Sequence, residues 1–140
     1  MSALGDVFAD SVFWIALVVR SDQHHSRAQQ WSQLVNGRIV TTSAVLLETA
    51  NSLSRPAWRG SAVALIDHIS SRSDVDIMET TRDLWEQGWQ LFRSRPDKGW
   101  SLTDCISFLV MTEKDLRDAL SADEHFRQAG FRPVLLEEPS

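Results

Sequence analysis

The chain has 140 residues, 43% hydrophobic and 24% charged, with a formal net charge of −5. That is enough chain for one domain with a single core, too apolar for disorder and too acidic to coat nucleic acid by simple charge attraction. The single cysteine, Cys105, excludes an intrachain disulfide framework, and the longest apolar run, Val12 to Val19, falls well short of the roughly 20 residues of a membrane helix.

Short β-prone runs alternate with longer helical ones. Asp6 to Asp10 reads as a first strand and Ser11 to Arg20 as an apolar helix behind it. Asp22 to Val35 reads as a second helix, stopped by Asn36-Gly37, because glycine accepts the left-handed conformation that ends helices. Arg38 to Thr41 is a β-branched strand. Ser43 to Ser54 is a helix ended before Pro56, and Ala57 to Ser71 another, with Val63, Ile66 and Ile69 on one face. Val75 to Met78 is a short strand at an edge, and Thr80 to Arg93 an amphipathic helix carrying Leu84, Trp85, Trp89 and Phe92 at helical spacing. Arg95 to Gly99 is a loop. Leu102 to Glu113 is apolar nearly all round and predicts a buried central helix. Asp118 to Ser121 and Pro133 to Leu136 close the chain as strands around a short helix at Glu124 to Gln128.

Strands separated by helices pair in parallel through right-handed crossovers. The expected class is therefore α/β, a three-layer α/β/α sandwich around a central, mainly parallel sheet. It forms one soluble cytoplasmic domain over residues 1–140, with no membrane segment. In such sheets ligands bind beyond the carboxyl ends of the strands.

Acidic residues stand at those ends. Asp10 closes the first strand, Asp104 lies in the first turn of the buried helix, and Asp123 follows the fourth strand. Each has a plain alternative as a helix cap: Asp10 and Asp123 before their helices, Asp104 in the box opened by Ser101. Glu48 lies mid-helix, where it can cap nothing. At 100° per residue it points away from a core face of Leu46, Ala50 and Leu53, between the small Ala44 and Ser52. Its alternative is an ordinary solvated glutamate. Asp104 shares its stripe with Phe108 and Met111, so its charge needs a partner. Carboxylates gathered at about 4 Å repel by about 4 kcal/mol per pair at an effective dielectric near 20, a cost that a hard divalent cation removes.

Twelve of the fourteen basic residues are arginine, whose planar fork matches phosphate oxygens in pairs. Arg93, Arg95 and Lys98, on the approach to Asp104, are the candidate phosphate contacts, ahead of Arg55 and Arg59. Adjacent His24 and His25 point about 100° apart on a helix and read as helix initiation, not a metal pair. His125, near Asp123, reads as a surface or packing residue, and Cys105 as buried filler. Trp14, Trp31, Trp85 and Trp89 fall at core spacing, and Trp58 and Trp100 near loops.

At Val7 to Ser11, Thr42 to Thr49, Ser101 to Phe108 and Ala119 to Phe126 the sequence resembles the PIN-domain family of metal-dependent ribonucleases, particularly its small VapC-like toxins. The resemblance implies a parallel sheet of about five strands, with Asp10, Glu48, Asp104 and Asp123 as the acidic quartet. Asp10 and Asp104 would be the principal ligands of Mg²⁺ or Mn²⁺, Glu48 and Asp123 would complete the site, and Ser121 would position it by hydrogen bonding. It further implies hydrolysis of single-stranded or structured RNA by metal-activated water, an antitoxin partner and a homodimer. A catalytically inactive PIN-like domain serving as a protein-binding scaffold is the alternative. The family's glycine turn before the fourth strand is replaced here by Lys114 to Arg117.

Overall fold

A computed structural model describes residues 3–139. Five strands form one sheet: β1 (Val7–Ala9), β2 (Ile39–Thr42), β3 (Val75–Met78), β4 (Asp118–Leu120) and β5 (Arg132–Pro133). Seven helices connect them: α1 (Ser11–Val18), α2 (His25–Ser32), α3 (Ser43–Ser52), α4 (Pro56–Ser71), α5 (Arg82–Ser94), α6 (Leu102–Glu113) and α7 (Glu124–Gln128). All strand pairs are parallel, and the helices cover the sheet as a three-layer α/β/α sandwich.

β1 and β2 are buried along their whole length, as a sheet covered on both faces requires. The strand order is β3-β2-β1-β4-β5. The chain runs outward from β1 to β3, then returns to lay β4 against the other side of β1. That reversal opens a crevice between the carboxyl ends of β1 and β4.

An aromatic core lies between these strands and α6. Phe126 of α7 sits 6.3 Å from Phe8 and 5.1 Å, edge-on, from Phe108; Phe108 in turn meets Trp100 at 5.1 Å. α6 is buried on most sides, as its composition predicts. α5 approaches it closely because Gly88 has no side chain: a Cβ there would stand 2.7 Å from Cγ1 of Ile106.

Several expectations need correction. α2 is shorter than predicted, because Val35 leaves the helix to pair with Leu4 in an isolated parallel bridge. Gly37 is not left-handed; it is needed where the chain passes Asp6, whose backbone nitrogen would lie 2.6 Å from a Cβ. The buried face of α4 is Ala62, Leu65 and Ile69, and Val63 is exposed. The last strand is only Arg132–Pro133, since proline has no N–H for a ladder, and Val134–Leu136 is a 3₁₀ turn. Trp14 and Trp31 are core residues, but Trp85, Trp89 and Phe92 are exposed. At the turn before β4, Asp115 adopts φ 55°, the left-handed region that aspartate tolerates better than most residues. The turn that lacks a glycine is thus made with a left-handed aspartate.

Candidate active site

β1 ends at Ala9, and the next residue, Asp10, is carried straight into the crevice. Its backbone N–H donates to the Leu120 carbonyl of β4 at 3.2 Å, which ties the two strand ends together. Its side chain makes no capping hydrogen bond to α1, so capping does not explain the carboxylate. Instead the Ser121 hydroxyl donates to Oδ2 at 2.9 Å, and the same hydroxyl accepts from the Asp123 N–H at 3.1 Å. Burial pushes the Asp10 carboxyl up to about 7; the Ser121 hydroxyl and the Ser11 N–H pull it down, while Asp104 and Glu48 push it further up.

Asp104 does close a capping box. The Ser101 hydroxyl accepts from its N–H at 3.0 Å, and its Oδ2 accepts from the Ser101 N–H at 3.0 Å. Asp123 also caps, accepting from the His125 N–H at 2.9 Å. Capping and convergence are therefore not rivals here: the caps aim both carboxylates at one point. Burial holds Asp104 above the ordinary carboxylate range; the Ser101 N–H and His125 oppose this, and Asp123 reinforces it.

His125 was not expected in this group. Its Nδ1 lies 3.0 Å from Asp104 Oδ2 and 3.3 Å from Asp123 Oδ1. The ring nitrogen thus stands between the two carboxylates. One ligand atom each from Asp104, Asp123 and His125 falls within 4.8 Å of the others, the arrangement of a metal-holding cluster. The signal in the sequence was its place in the first turn of the helix that Asp123 caps.

Glu48 stands on the other side of Asp10. The Ser11 hydroxyl donates to Oε1 at 2.5 Å, so the residue after Asp10 fixes the fourth acid. The buried face of α3 is Val45, Thr49 and Leu53, one position before the expected Leu46 and Ala50. Glu48 still emerges beside Ala44 and Ser52, in the wall of a cavity of about 710 Å³. Asp10 thus sits between two halves: Asp104, Asp123 and His125 on one side, Glu48 and Ser11 on the other.

The expected cations lie further out. Arg95 is paired with Asp97 at 3.0 Å and lies 5.0 Å over the Trp100 ring. Arg93 lies 5.9 Å over Trp89, and Lys98 is half-buried in the same loop. A Cβ at Gly99 of that loop would stand 3.6 Å from His125 Nε2, so the loop passes beside the ring at the rim of the site. Arg55 lies over Trp58, and Arg59 donates to the Ser54 carbonyl at 2.7 Å, both at the α3–α4 turn. The Cys105 thiol is buried and pushed up to about 11, first by burial and then by Asp104, so it is no nucleophile. His24 and His25 start α2, with Asp22 accepting from the His24 N–H at 2.7 Å.

Asp104, Asp123 and His125 form one cluster of ligand atoms; Asp10 is joined to it through Ser121, and Glu48 lies beyond Ser11. Oxygen donors of this kind suit a hard divalent cation.

Residues 7–132 match the PIN domain family. The 23S rRNA-specific endonuclease VapC20 of Mycobacterium tuberculosis, in each of two strains, is 32% identical over 128 residues, covering 91% of this chain and 97% of that protein. The crystal structure of VapC20, described as a Sarcin-Ricin loop cleaving toxin, matches with a TM-score of 0.85 at 31% identity over 91% of this chain and 98% of that one. VapBC2 from Rickettsia felis, solved bound to a DNA fragment from its promoter, matches with a TM-score of 0.62 at 11% identity, covering 91% and 96%. That second likeness is one of fold alone.

Proposed function

We propose a function from one premise: the chain belongs to the PIN-domain family. It is an endoribonuclease that hydrolyses RNA phosphodiester bonds with Mg²⁺ or Mn²⁺. The observation that carries this reading is the meeting of Asp10, Asp104 and Asp123 at the sheet's switch point, linked through Ser121 and His125.

Asp10 and Asp104 would be the principal holders of the cation, with Asp123 and Glu48 completing the site. An ion held by these residues would supply polarisation of the phosphoryl oxygens and a lowered pKa for water. The chain's own residues supply the rest. Ser121 holds Asp10 by its Oδ2, and through the Asp123 N–H sets the start of α7. Ser11 occupies one oxygen of Glu48, which leaves Oε2 to orient the attacking water. The aromatic floor of Phe8, Phe108 and Phe126 excludes solvent from beneath the carboxylates. Arg93, Arg95 and Lys98, on the approach to Asp104, would receive flanking phosphates.

The relative at 32% identity is named for 23S rRNA, so a hairpin carrying the sarcin–ricin loop is the first substrate to try, beside unstructured RNA. Cleavage is expected with Mg²⁺ or Mn²⁺ and is expected to stop with EDTA. Cleavage that persists in EDTA, or none of either RNA with metal, would sink the reading.

The physiological setting that the toxin relative suggests is a cytoplasmic toxin restrained by an antitoxin. Homodimerisation would use apolar side chains left exposed on α4 and towards the end of α5, Val63 at 57% and Phe92 at 41%. Phe92→Glu places a charge there and is expected to convert dimer to monomer in light scattering. A wild type that is monomeric at all concentrations counts against the dimer.

A further inference from the structure

The cavity that begins at Glu48 does not end at the acids. It runs between α3 and the start of α6 to Trp85 of α5, floored by Leu47 and Ile106. We propose that this cavity receives an unpaired nucleobase next to the scissile phosphate, stacked on Trp85 and read by Asn51. The inference rests on the ribonuclease reading above and names a part of its substrate site.

Charge decides which part of an RNA strand enters. Among the described residues the cavity wall carries no arginine or lysine, and Glu48 is its one ionisable group, so beyond the acids it offers a phosphate no cationic partner. A neutral, flat group with polar edges needs none. The wall matches such a group, with an apolar floor and the hydroxyl or amide side chains of Asn51, Ser52 and Thr103 around it. Because Glu48 belongs to both the cavity and the acidic site, whatever fills the cavity adjoins the bond to be cut.

Trp85 is singled out among the tryptophans. Trp31, Trp58, Trp89 and Trp100 each carry an arginine guanidinium over the ring, and Trp14 is buried. Trp85 is 50% exposed and has no cation over its ring among the described residues. Its face is therefore open for stacking, which is tolerant of base identity. Asn51 supplies the discrimination. Its side-chain amide has no hydrogen-bond partner among the described residues, and it offers both a donor and an acceptor to a base edge.

The test is steady-state cleavage of the sarcin–ricin-loop hairpin by the full chain, with an abasic residue placed in turn at each nucleotide flanking the cut. W85A is expected to lower kcat/KM about ten-fold, mainly through KM, with W85F recovering most of it. Abasic RNA at one flanking position should lower the wild-type value by a similar factor, and W85A should then cost nothing further. On a randomised RNA pool, N51A should flatten the base preference at that position. If W85A and the abasic substitution reduce kcat/KM independently, or neither matters, the base pocket is wrong while the ribonuclease stands. W85A that leaves RNA kinetics intact but alters self-association also overturns it, in favour of a protein contact. A wild type that cleaves no RNA removes the underlying reading as well.

Discussion

Asp10→Asn is expected to abolish cleavage and, in EDTA, to stabilise the protein. The two effects have one cause. Asp10 is 3% exposed, and burial with neighbouring Asp104 and Glu48 makes its charge costly unless a cation is present. Asparagine keeps an oxygen for the Ser121 hydroxyl but carries no charge, so it cannot hold the ion. Loss of that charge stabilisation, several kcal/mol, corresponds to a drop in turnover of about 1000-fold or more. Above neutral pH the same change relieves an uncompensated buried charge, a gain of about 2 kcal/mol read as a higher Tm. Initial rates and thermal melts in EDTA check both. An Asn variant that cleaves at the wild-type rate, or melts below the wild type in EDTA at about pH 8, contradicts the assignment.

The second large effect is a dependence of metal-free stability on pH that added metal reverses. The Asp10 carboxyl is raised from 3.8 to about 7, so the native state keeps a proton that the unfolded chain has lost. Its contribution is fully present below about pH 4 and is lost as pH rises through about 7, up to about 4 kcal/mol. Asp104 is shifted the same way and adds to the loss. Asp74, Asp76, Asp97 and Glu137 are held low by arginine partners, so their contribution is lost only as pH falls below the ordinary carboxylate range. Between these limits the site acids govern. A cation replaces the proton, so the Tm gain on adding Mn²⁺ should be several degrees larger at about pH 8 than at about pH 5. An equal gain at both values would mean that the metal does not bind at Asp10.

The alternation of β-prone and helical runs was enough to predict the sheet class, since fully apolar strands separated by helices have few other ways to be buried. The rim positions of Asp10, Asp104 and Asp123 followed from the same logic, because strand ends and the next helix starts share one edge. What escaped depends on contacts between elements. His125 carries no periodic signal, and only the turn capped by Asp123 brings its ring to Asp104. Ser11 reads as the start of a helix, and its bond to Glu48 spans 37 residues. Periodicity shows that Trp85, Trp89 and Phe92 share a face of α5, but not whether anything covers it. Part of that helix is pressed on Ile106 at Gly88, and the large aromatics beyond it stay open. The buried faces of α3 and α4 came out rotated for a similar reason: neighbouring elements, not local hydrophobicity, decide which flank of a broad apolar surface turns inward.

The strand order also sets a timetable. β1 is made first and lies at the centre, yet its partner β4 comes more than 100 residues later, and the Ser121–Asp10 bond spans 111. A chain emerging from the ribosome exposes Asp10 and Glu48 well before Ser121, Asp123 and His125 exist. Long-range closure of this kind comes late in folding. While a copy is being translated it therefore has half a site, with its acids unaligned, and it becomes competent only when its final segment closes the sheet. On the ribonuclease reading proposed above, a copy still being translated is therefore inert toward the messenger that encodes it.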